Sequence, residues 1–248
     1  MKKYLITTFL LFSLASPAFS YAEKGWSYYM QGDFTGAINY CNGCLERSDC
    51  PDKDEALFIS GESYASSKDF VRARESFRGV YKKYPGSIYA SQAILRVADC
   101  YFLEGDYENA EEIYTYFVET NPQSAFLPVA LLKLTYTKRK LGKWPIVKQY
   151  ADILNSKFPG SFEAKEAKVL ADAETYFTIQ VGAFGEKNNA LSLMRKLQVD
   201  GFEPYITEGK FDGRTIYKVR VGKIDQRRDA EQVYQRLVNN NYPAQIYP

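Results

Sequence analysis

No histidine occurs in the 248-residue sequence. Without an imidazole, the chain cannot assemble a Ser-His-Asp or Cys-His nucleophile, a His-containing zinc site or a C-x-x-C-H haem attachment. A phosphate-binding glycine loop is also missing, because Gly142 and Lys143 are followed by Trp144 and not by Ser or Thr. Paired carboxylates could still hydrolyse a glycosidic bond, but no acidic pair stands out from the surface charge. We therefore expect a protein without catalytic residues, metal site or cofactor.

Strong net charge is lacking as well. The formal charge is +2, with 46% apolar and 25% charged residues. That charge is too small to indicate a nucleic-acid partner, and the composition is that of a globular chain long enough for about two domains.

The N-terminus has the pattern of a secretory signal peptide at residues 1–22. Lys2 and Lys3 precede an apolar run that is shorter than the about 20 residues needed to span a bilayer. Small residues place cleavage after Ser20 or after Ala22, and no Cys lies where a lipidated N-terminus would need one. We expect a secreted, periplasmic protein with no transmembrane segment in the mature chain.

Residues 23–175 repeat with a period of 36 to 37. Small residues recur at this spacing, and each of the three alanines among them is followed four residues later by a larger residue. Prolines follow twelve residues after three of these recurring positions. Short turns divide each unit at "QGDF", "SKDF", "EGDY" and "LGKW". Such a period indicates stacked helix pairs, with a closing helix after Pro159. The recurring residues are Ala37, Ala73, Ala110 and Val147, and the prolines are Pro85, Pro122 and Pro159.

The A-x-x-x-F/Y pattern with its trailing proline resembles the tetratricopeptide repeat, and the long period resembles repeats of bacterial envelope proteins. The resemblance implies a scaffold that binds a protein partner, here an unidentified envelope protein on the repeat groove. Most of the repeat tyrosines are expected to be packing residues, since helical spacing is more often packing than a site. These tyrosines are Tyr89, Tyr101, Tyr114, Tyr116 and Tyr136.

Three of the four cysteines cluster in the first repeat. In an oxidising compartment a disulfide is expected, with Cys44 to Cys50 as the first choice and Cys41 to Cys50 as the second. Cys100 occupies a small helix-crossing position, where the neighbouring repeats carry Ser63 and Thr137, and is expected to be a reduced core thiol.

Residues 176–248 contain two copies of one strand, helix, strand pattern, shifted by 40 residues. Val181-Gly182 aligns with Val221-Gly222, and Asp212-Gly213 between the copies is typical of a two-residue hairpin turn. The order βαββαβ predicts a small α+β domain with a four-stranded antiparallel sheet and both helices on one face. The whole chain is thus expected to be two-domain, an all-α solenoid of tetratricopeptide-like repeats followed by this α+β domain.

Alternation along the strands predicts which side chains point away from the helices. A polar open face flanked by tyrosines suits an extended polar polymer, because rings stack on flat ligand faces and Gln and Arg donate directed hydrogen bonds. RNA-binding modules use a similar layout, but the signal peptide argues against RNA. The predicted open-face residues are Thr178, Gln180, Gly182, Tyr205, Lys218, Arg220, Gly222 and Tyr247.

"FTIQVGAF" and "YKVRVGKI", each followed by Ala and Leu in the next helix, resemble the SPOR domain over residues 175–248. The resemblance implies binding to peptidoglycan, in particular to glycan strands stripped of their peptides, which accumulate at division septa. It also implies that Gln180 and the other open-face positions contact the sugar chain. Lys223 departs from the pattern, because the family commonly has Pro there.

We therefore expect a non-catalytic envelope protein that binds glycan strands through its C-terminal domain and a protein partner through its repeats, in cell division or wall remodelling, with the septum as its destination. Two alternatives stay open. One is a peptidoglycan hydrolase or its activator, and the other is a scaffold for outer-membrane assembly or envelope coordination in which the repeats dominate.

Overall fold

A computed structural model describes residues 21–248. Apart from its last two residues, the predicted signal peptide lies outside the described residues and stays a prediction. Within residues 21–248, helices precede a mixed domain in the predicted order. The helices are α1 (Tyr21–Met30), α2 (Phe34–Glu46), α3 (Lys53–Ser66), α4 (Phe70–Lys83), α5 (Ala90–Glu104), α6 (Tyr107–Thr120), α7 (Leu127–Lys140), α8 (Trp144–Lys157) and α9 (Phe162–Asp172). The C-terminal elements are β1 (Phe177–Phe184), α10 (Lys187–Val199), β2 (Pro204–Phe211), β3 (Arg214–Ile224), α11 (Arg227–Asn239) and β4 (Gln245–Tyr247).

The turns inside the repeats carry their own helix caps. Asp33, Asp69 and Asp106 each accept a hydrogen bond from the backbone N–H three residues later, which satisfies a donor that the helix leaves free. The fourth turn has Lys143 in this position and makes no such bond, but a proline lies in the first turn of α8. Proline has no N–H to satisfy there. The short turns that divide the repeat units therefore lie where the sequence predicted them.

The recurring small residues of the repeats lie in the core. Ala37, Ala73 and Ala110 have no exposed surface, and Val147 is almost fully buried. Cys100 is also buried, as are Ser63 and Thr137 in the equivalent helices. The burial predicted for these positions is confirmed, and it agrees with a role at helix crossings. No helix of the described part of the chain combines the length and the apolarity that a membrane span requires.

Contacts divide the chain into two compact units, with the division between Ala93 and Ile94, inside α5. In the first unit the disulfide joins Cys44 to Cys50, which confirms the first-choice pairing. Its sulfurs belong to a core cluster that also contains the buried Cys41 thiol and Ile59.

The second unit contains α6 to α9 and the whole β-sheet domain. The predicted domain boundary at residue 175 lies inside this unit and stays a prediction. Helices of the repeats pack against the sheet domain. The indole of Trp144 lies 5.1 Å from the ring of Phe177, the first residue of β1. Arg227 of α11 donates a hydrogen bond to the carbonyl oxygen of Lys140 at 3.1 Å, and its guanidinium lies 4.6 Å from the ring of Tyr107.

The sheet has the strand order β2-β3-β1-β4, and its strand pairs are antiparallel, as expected from the βαββαβ order. Asp212 and Gly213 both have positive φ and join β2 to β3 in a hairpin with Phe211 opposite Arg214, so the predicted turn is confirmed. A single core lies between the sheet and the helices α10 and α11. It includes Phe177, Ile179, Val181, Ala190, Leu197, Phe202, Val219, Val221, Ala230, Leu237 and Tyr242.

Candidate functional site

The candidate site is the sheet face that points away from α10 and α11. Strand pairing places four polar side chains of this face in one row across the sheet. Gln180 of β1 lies opposite Gln245 of β4 on one side and opposite Arg220 of β3 on the other, and Arg220 lies opposite Tyr205 of β2. Three inter-strand spacings of about 4.8 Å make this row roughly 14 Å long. We call these four residues the polar row.

Arg220 is the most enclosed member of the polar row, because only 15% of its side chain is exposed. Its guanidinium lies 5.8 Å from the ring of Tyr247, and its Nη1 lies 3.5 Å from a carboxylate oxygen of Glu174. Within residues 21–248, its buried Nε has no hydrogen-bond acceptor. The guanidinium is therefore held in place by its surroundings while part of its donor capacity remains unused.

A second cluster of polar groups lies beside Arg220. The Tyr205 hydroxyl donates to the Thr178 hydroxyl at 2.8 Å, and Thr178 donates to the carbonyl oxygen of Val221 at 3.3 Å. The ammonium of Lys223 lies 5.3 Å from the ring of Tyr176 and 5.6 Å from the ring of Tyr205. The family that the sequence resembles commonly has proline at this position. Here the lysine adds a cation between two aromatic rings.

Tyr176 connects the two clusters. Burial raises the pKa of its phenol to about 12, and hydrogen bonds to Glu174 and Tyr205 contribute to that rise. The phenol therefore keeps its proton at physiological pH and can act as a hydrogen-bond donor.

The carboxylate of Glu174 belongs to a segment that the last repeat holds. Arg139 of α7 donates one hydrogen bond to the carbonyl oxygen of Leu170 and one to that of Glu174, both at 2.9 Å. The guanidinium of Arg139 also lies 5.6 Å from the Trp144 ring. The helical repeat thereby fixes the backbone that brings Glu174 onto the open face.

The structure corrects the predicted position of Gly182. A Cβ built on this glycine would lie 2.9 Å from a methyl group of Leu193 in α10 and 2.8 Å from the ring of Phe184. Gly182 therefore lies on the helix side of the sheet. The cause is an irregularity in the β1–β3 register between Gln180 and Gly182, after which Gly182 pairs with the core residue Val219. An extra residue in one strand reverses the alternation beyond it.

Thr178 needs a second correction. It pairs with Tyr247 on the expected face, but it is only 1% exposed because its hydroxyl is enclosed by the bonds to Tyr205 and Val221. It therefore has no surface to offer a ligand in this state. Gly222, also predicted on the open face, adopts φ +75° at a second register irregularity, beyond which Lys223 occupies that face.

The remaining predicted residues, Gln180, Tyr205, Lys218, Arg220 and Tyr247, lie on the open face and are partly exposed. Their contact with a glycan stays a prediction. Sequence reasoning missed four neighbours. Tyr176 could have been found from the sequence, because it lies two residues before Thr178 and alternate residues of a strand share a face. Gln245 is identified by its pairing with Gln180. No sequence pattern indicated Lys223, because a bulge in the strand brings it onto the open face. None indicated Glu174 either, because a hydrogen bond from the last repeat holds its backbone there.

The repeat tyrosines are mostly packing residues, as predicted. Tyr114 is buried, Tyr89 stacks on Phe58 at 4.9 Å, Tyr101 packs against a core cluster and Tyr136 donates to Glu166 at 3.2 Å. Tyr116 differs, with 56% of its surface exposed. In the described part of the chain, no group of three or more cysteine, aspartate or glutamate side chains could hold a metal ion.

Two family models match this chain. Residues 173–248 match the SPOR domain, and residues 50–132 match the YfiO model, described as an outer membrane lipoprotein. Each match covers less than half of the 248 residues. The SPOR resemblance of the C-terminal domain is thereby confirmed. Comparison with the curated proteins finds no match.

Solved structures resemble the chain at low sequence identity. One is the structure titled "Crystal structure of PilW, widely conserved type IV pilus biogenesis factor". It matches this chain with a TM-score of 0.53 and 18% sequence identity, and the match covers 60% of this chain and 66% of that chain. PilF of Pseudomonas aeruginosa has a TM-score of 0.45 and 19% identity, covering 60% and 64%. This chain thus spans just under two thirds of the length of either protein. The first likeness shows a shared fold, which agrees with the predicted tetratricopeptide-like region.

Proposed function

We propose that this protein binds peptidoglycan glycan strands through the open face of its C-terminal sheet and an envelope protein through its helical repeats. The observation that carries the proposal is the polar row, in which amide, guanidinium and phenol groups lie in register across the strands. A row of directed donors about 14 Å long suits a linear sugar polymer better than a compact ligand. The match of residues 173–248 to the SPOR domain supports this choice of polymer.

The protein acts by binding and localisation, and its destination is a site of wall remodelling such as the septum. The polar row contains no nucleophile and no pair of carboxylates, so its chemistry is that of recognition. Release of dye from labelled sacculi by the purified protein alone would contradict this part of the proposal and favour a hydrolase.

Cosedimentation tests the binding face. The full chain is mixed with purified sacculi, either intact or treated with an amidase that removes the peptides. We expect more protein to pellet with treated sacculi, and Gln180→Ala to reduce pelleting. Gln198→Ala is the matched control, because Gln198 is an exposed glutamine on α10, outside the open face. Absence of pelleting on both preparations would overturn the proposal, as would equal loss in both variants.

A second candidate function follows from the match of residues 50–132 to the outer membrane lipoprotein model. In that case the repeats bind an assembly partner and determine where the protein is found. Localisation of a fluorescent fusion separates the two, because Gln180→Ala would leave its position unchanged under the second candidate. The point variant is preferable to removing residues 176–248, since that deletion would strip Trp144 of its contact with Phe177.

A further inference from the structure

We propose that Arg220 is a carboxylate-binding subsite within the polar row, and that Glu174 occupies it as an internal competitor until a ligand arrives. The inference rests on the proposed function and names the chemical group that the site recognises. That group is a carboxylate carried by the glycan strand itself. Two observations carry the proposal, namely the incomplete bonding of Arg220 and the way in which Glu174 reaches it.

The bonding of Arg220 leaves room for a better acceptor. Its Nη1 lies 3.5 Å from Glu174, whereas a strong N–H to carboxylate bond is about 2.7 to 2.9 Å long. Its Nε has no acceptor within the described residues, so the paired edge that guanidinium offers to a carboxylate is only partly used. Since Nε has almost no accessible surface, a ligand carboxylate would bind at the Nη edge that Glu174 now occupies, at a shorter distance than the 3.5 Å of the present pair.

The charge around Arg220 also favours an anion. Lys218 lies two residues away on the same strand and face, and the ammonium of Lys223 lies against the Tyr205 ring. Within residues 21–248, Arg220 is paired with the carboxylate of Glu174. Three cations, Arg220, Lys218 and Lys223, therefore lie on or beside the open face, while the whole chain is nearly neutral.

Glu174 is able to leave Arg220 without any domain movement. Its side chain is 51% exposed, and its backbone carbonyl is held by Arg139 through a separate hydrogen bond. Rotation of the side chain therefore vacates the subsite while the last repeat keeps the backbone in position.

The proposed subsite explains why a strand without peptides would be preferred. In intact peptidoglycan the lactyl group of each muramic acid ends in an amide to the peptide, which is neutral. Hydrolysis of that amide leaves a free lactyl carboxylate on the strand and an amine on the departing peptide. A guanidinium distinguishes these two ends, because it binds an anion more strongly than a neutral amide.

The test compares two forms of one ligand. Glycan strands released by amidase are used either with their carboxylates free or after these are converted to methylamides, and binding to the full chain is measured for both. We expect Glu174→Gln to tighten binding of the free strands by about two- to five-fold, the range of a partly exposed ion pair. Binding of the amidated strands should not change. Glu186→Gln is the matched control, since Glu186 is exposed before α10.

Arg220→Gln provides the opposite change and should remove most of the preference for free over amidated strands. Folding of each variant is checked by its thermal unfolding midpoint. The inference is overturned if Glu174→Gln has no effect, or if it tightens both ligands equally. Failure of the wild type to bind either ligand would overturn the proposed function as well, whereas binding of both without a Glu174→Gln effect overturns the carboxylate subsite alone.

Discussion

Gly142, in the turn between α7 and α8, lies against the ring of Phe177, the first residue of β1. A Cβ on Gly142 would lie 2.8 Å from Cε2 of that ring, which is closer than real side chains approach. Gly142 also has φ +72°, a conformation that glycine adopts without steric cost. This glycine therefore serves both the turn of the last repeat and the packing of the sheet domain on it.

Gly142→Ala should lower the free energy of unfolding more than Gly105→Ala does. Each glycine follows the first helix of its own repeat and has positive φ. However, nothing lies within 4 Å of a Cβ placed on Gly105. Backbone strain alone costs about 1–2 kcal/mol, and the clash with Phe177 adds to it only at Gly142. Urea denaturation of the three proteins measures the difference. Equal losses would mean that the ring moves aside freely and that the junction is loose.

Gly182→Ala should destabilise the fold, not weaken a ligand contact directly. Its Cβ would meet Leu193 and Phe184 on the helix side of the sheet, and such overpacking costs about 1–3 kcal/mol. Gly185→Ala is the matched control, because a Cβ there meets nothing within 4 Å. Thermal unfolding should show a lower midpoint for Gly182→Ala only. A normal midpoint together with lost glycan binding would instead support the open-face position.

Gly182 also shows how far sequence reasoning reaches. The order of strands and the Asp212-Gly213 turn were predictable, because periodicity and turn chemistry are local properties of the chain. The face of Gly182 was not, since a bulge reverses the alternation and no residue pattern announced it. The burial of Thr178 and the contact of Glu174 with Arg220 depend on segments that are far apart in the sequence. The sequence therefore predicted the face of the sheet but not which of its residues are available.

The signal peptide should be cleaved after Ser20 and not after Ala22. Both sites fit the small-residue requirement, but Ala22 is only 3% exposed and belongs to the core cluster of the first unit with Cys41 and Ile59. Cleavage after Ala22 would remove this packing residue. The intact mass of protein recovered from the periplasm gives the answer, and a mature chain that begins at Glu23 would contradict it.

Cys41 should make the stability of the first unit depend on alkaline pH. Burial raises the pKa of this thiol from 9.0 to about 11, and the nearby Glu55 adds to the rise. The native state then holds the proton more tightly than the unfolded chain. The stabilisation is complete below pH 9 and is lost as pH rises towards 11, with a slope of about 1 kcal/mol per pH unit.

Comparison with Cys41→Ala isolates this effect, because the tyrosines that titrate in the same range are present in both proteins. Unfolding free energies are measured in urea from pH 8 to pH 11. We expect the difference between wild type and Cys41→Ala to be constant up to about pH 9 and then to fall. Cys100→Ala, which removes the other buried thiol, tests whether the slope belongs to Cys41. A difference between wild type and Cys41→Ala that is constant to pH 11 would mean that the Cys41 thiol ionises as readily in the folded protein as in the unfolded chain.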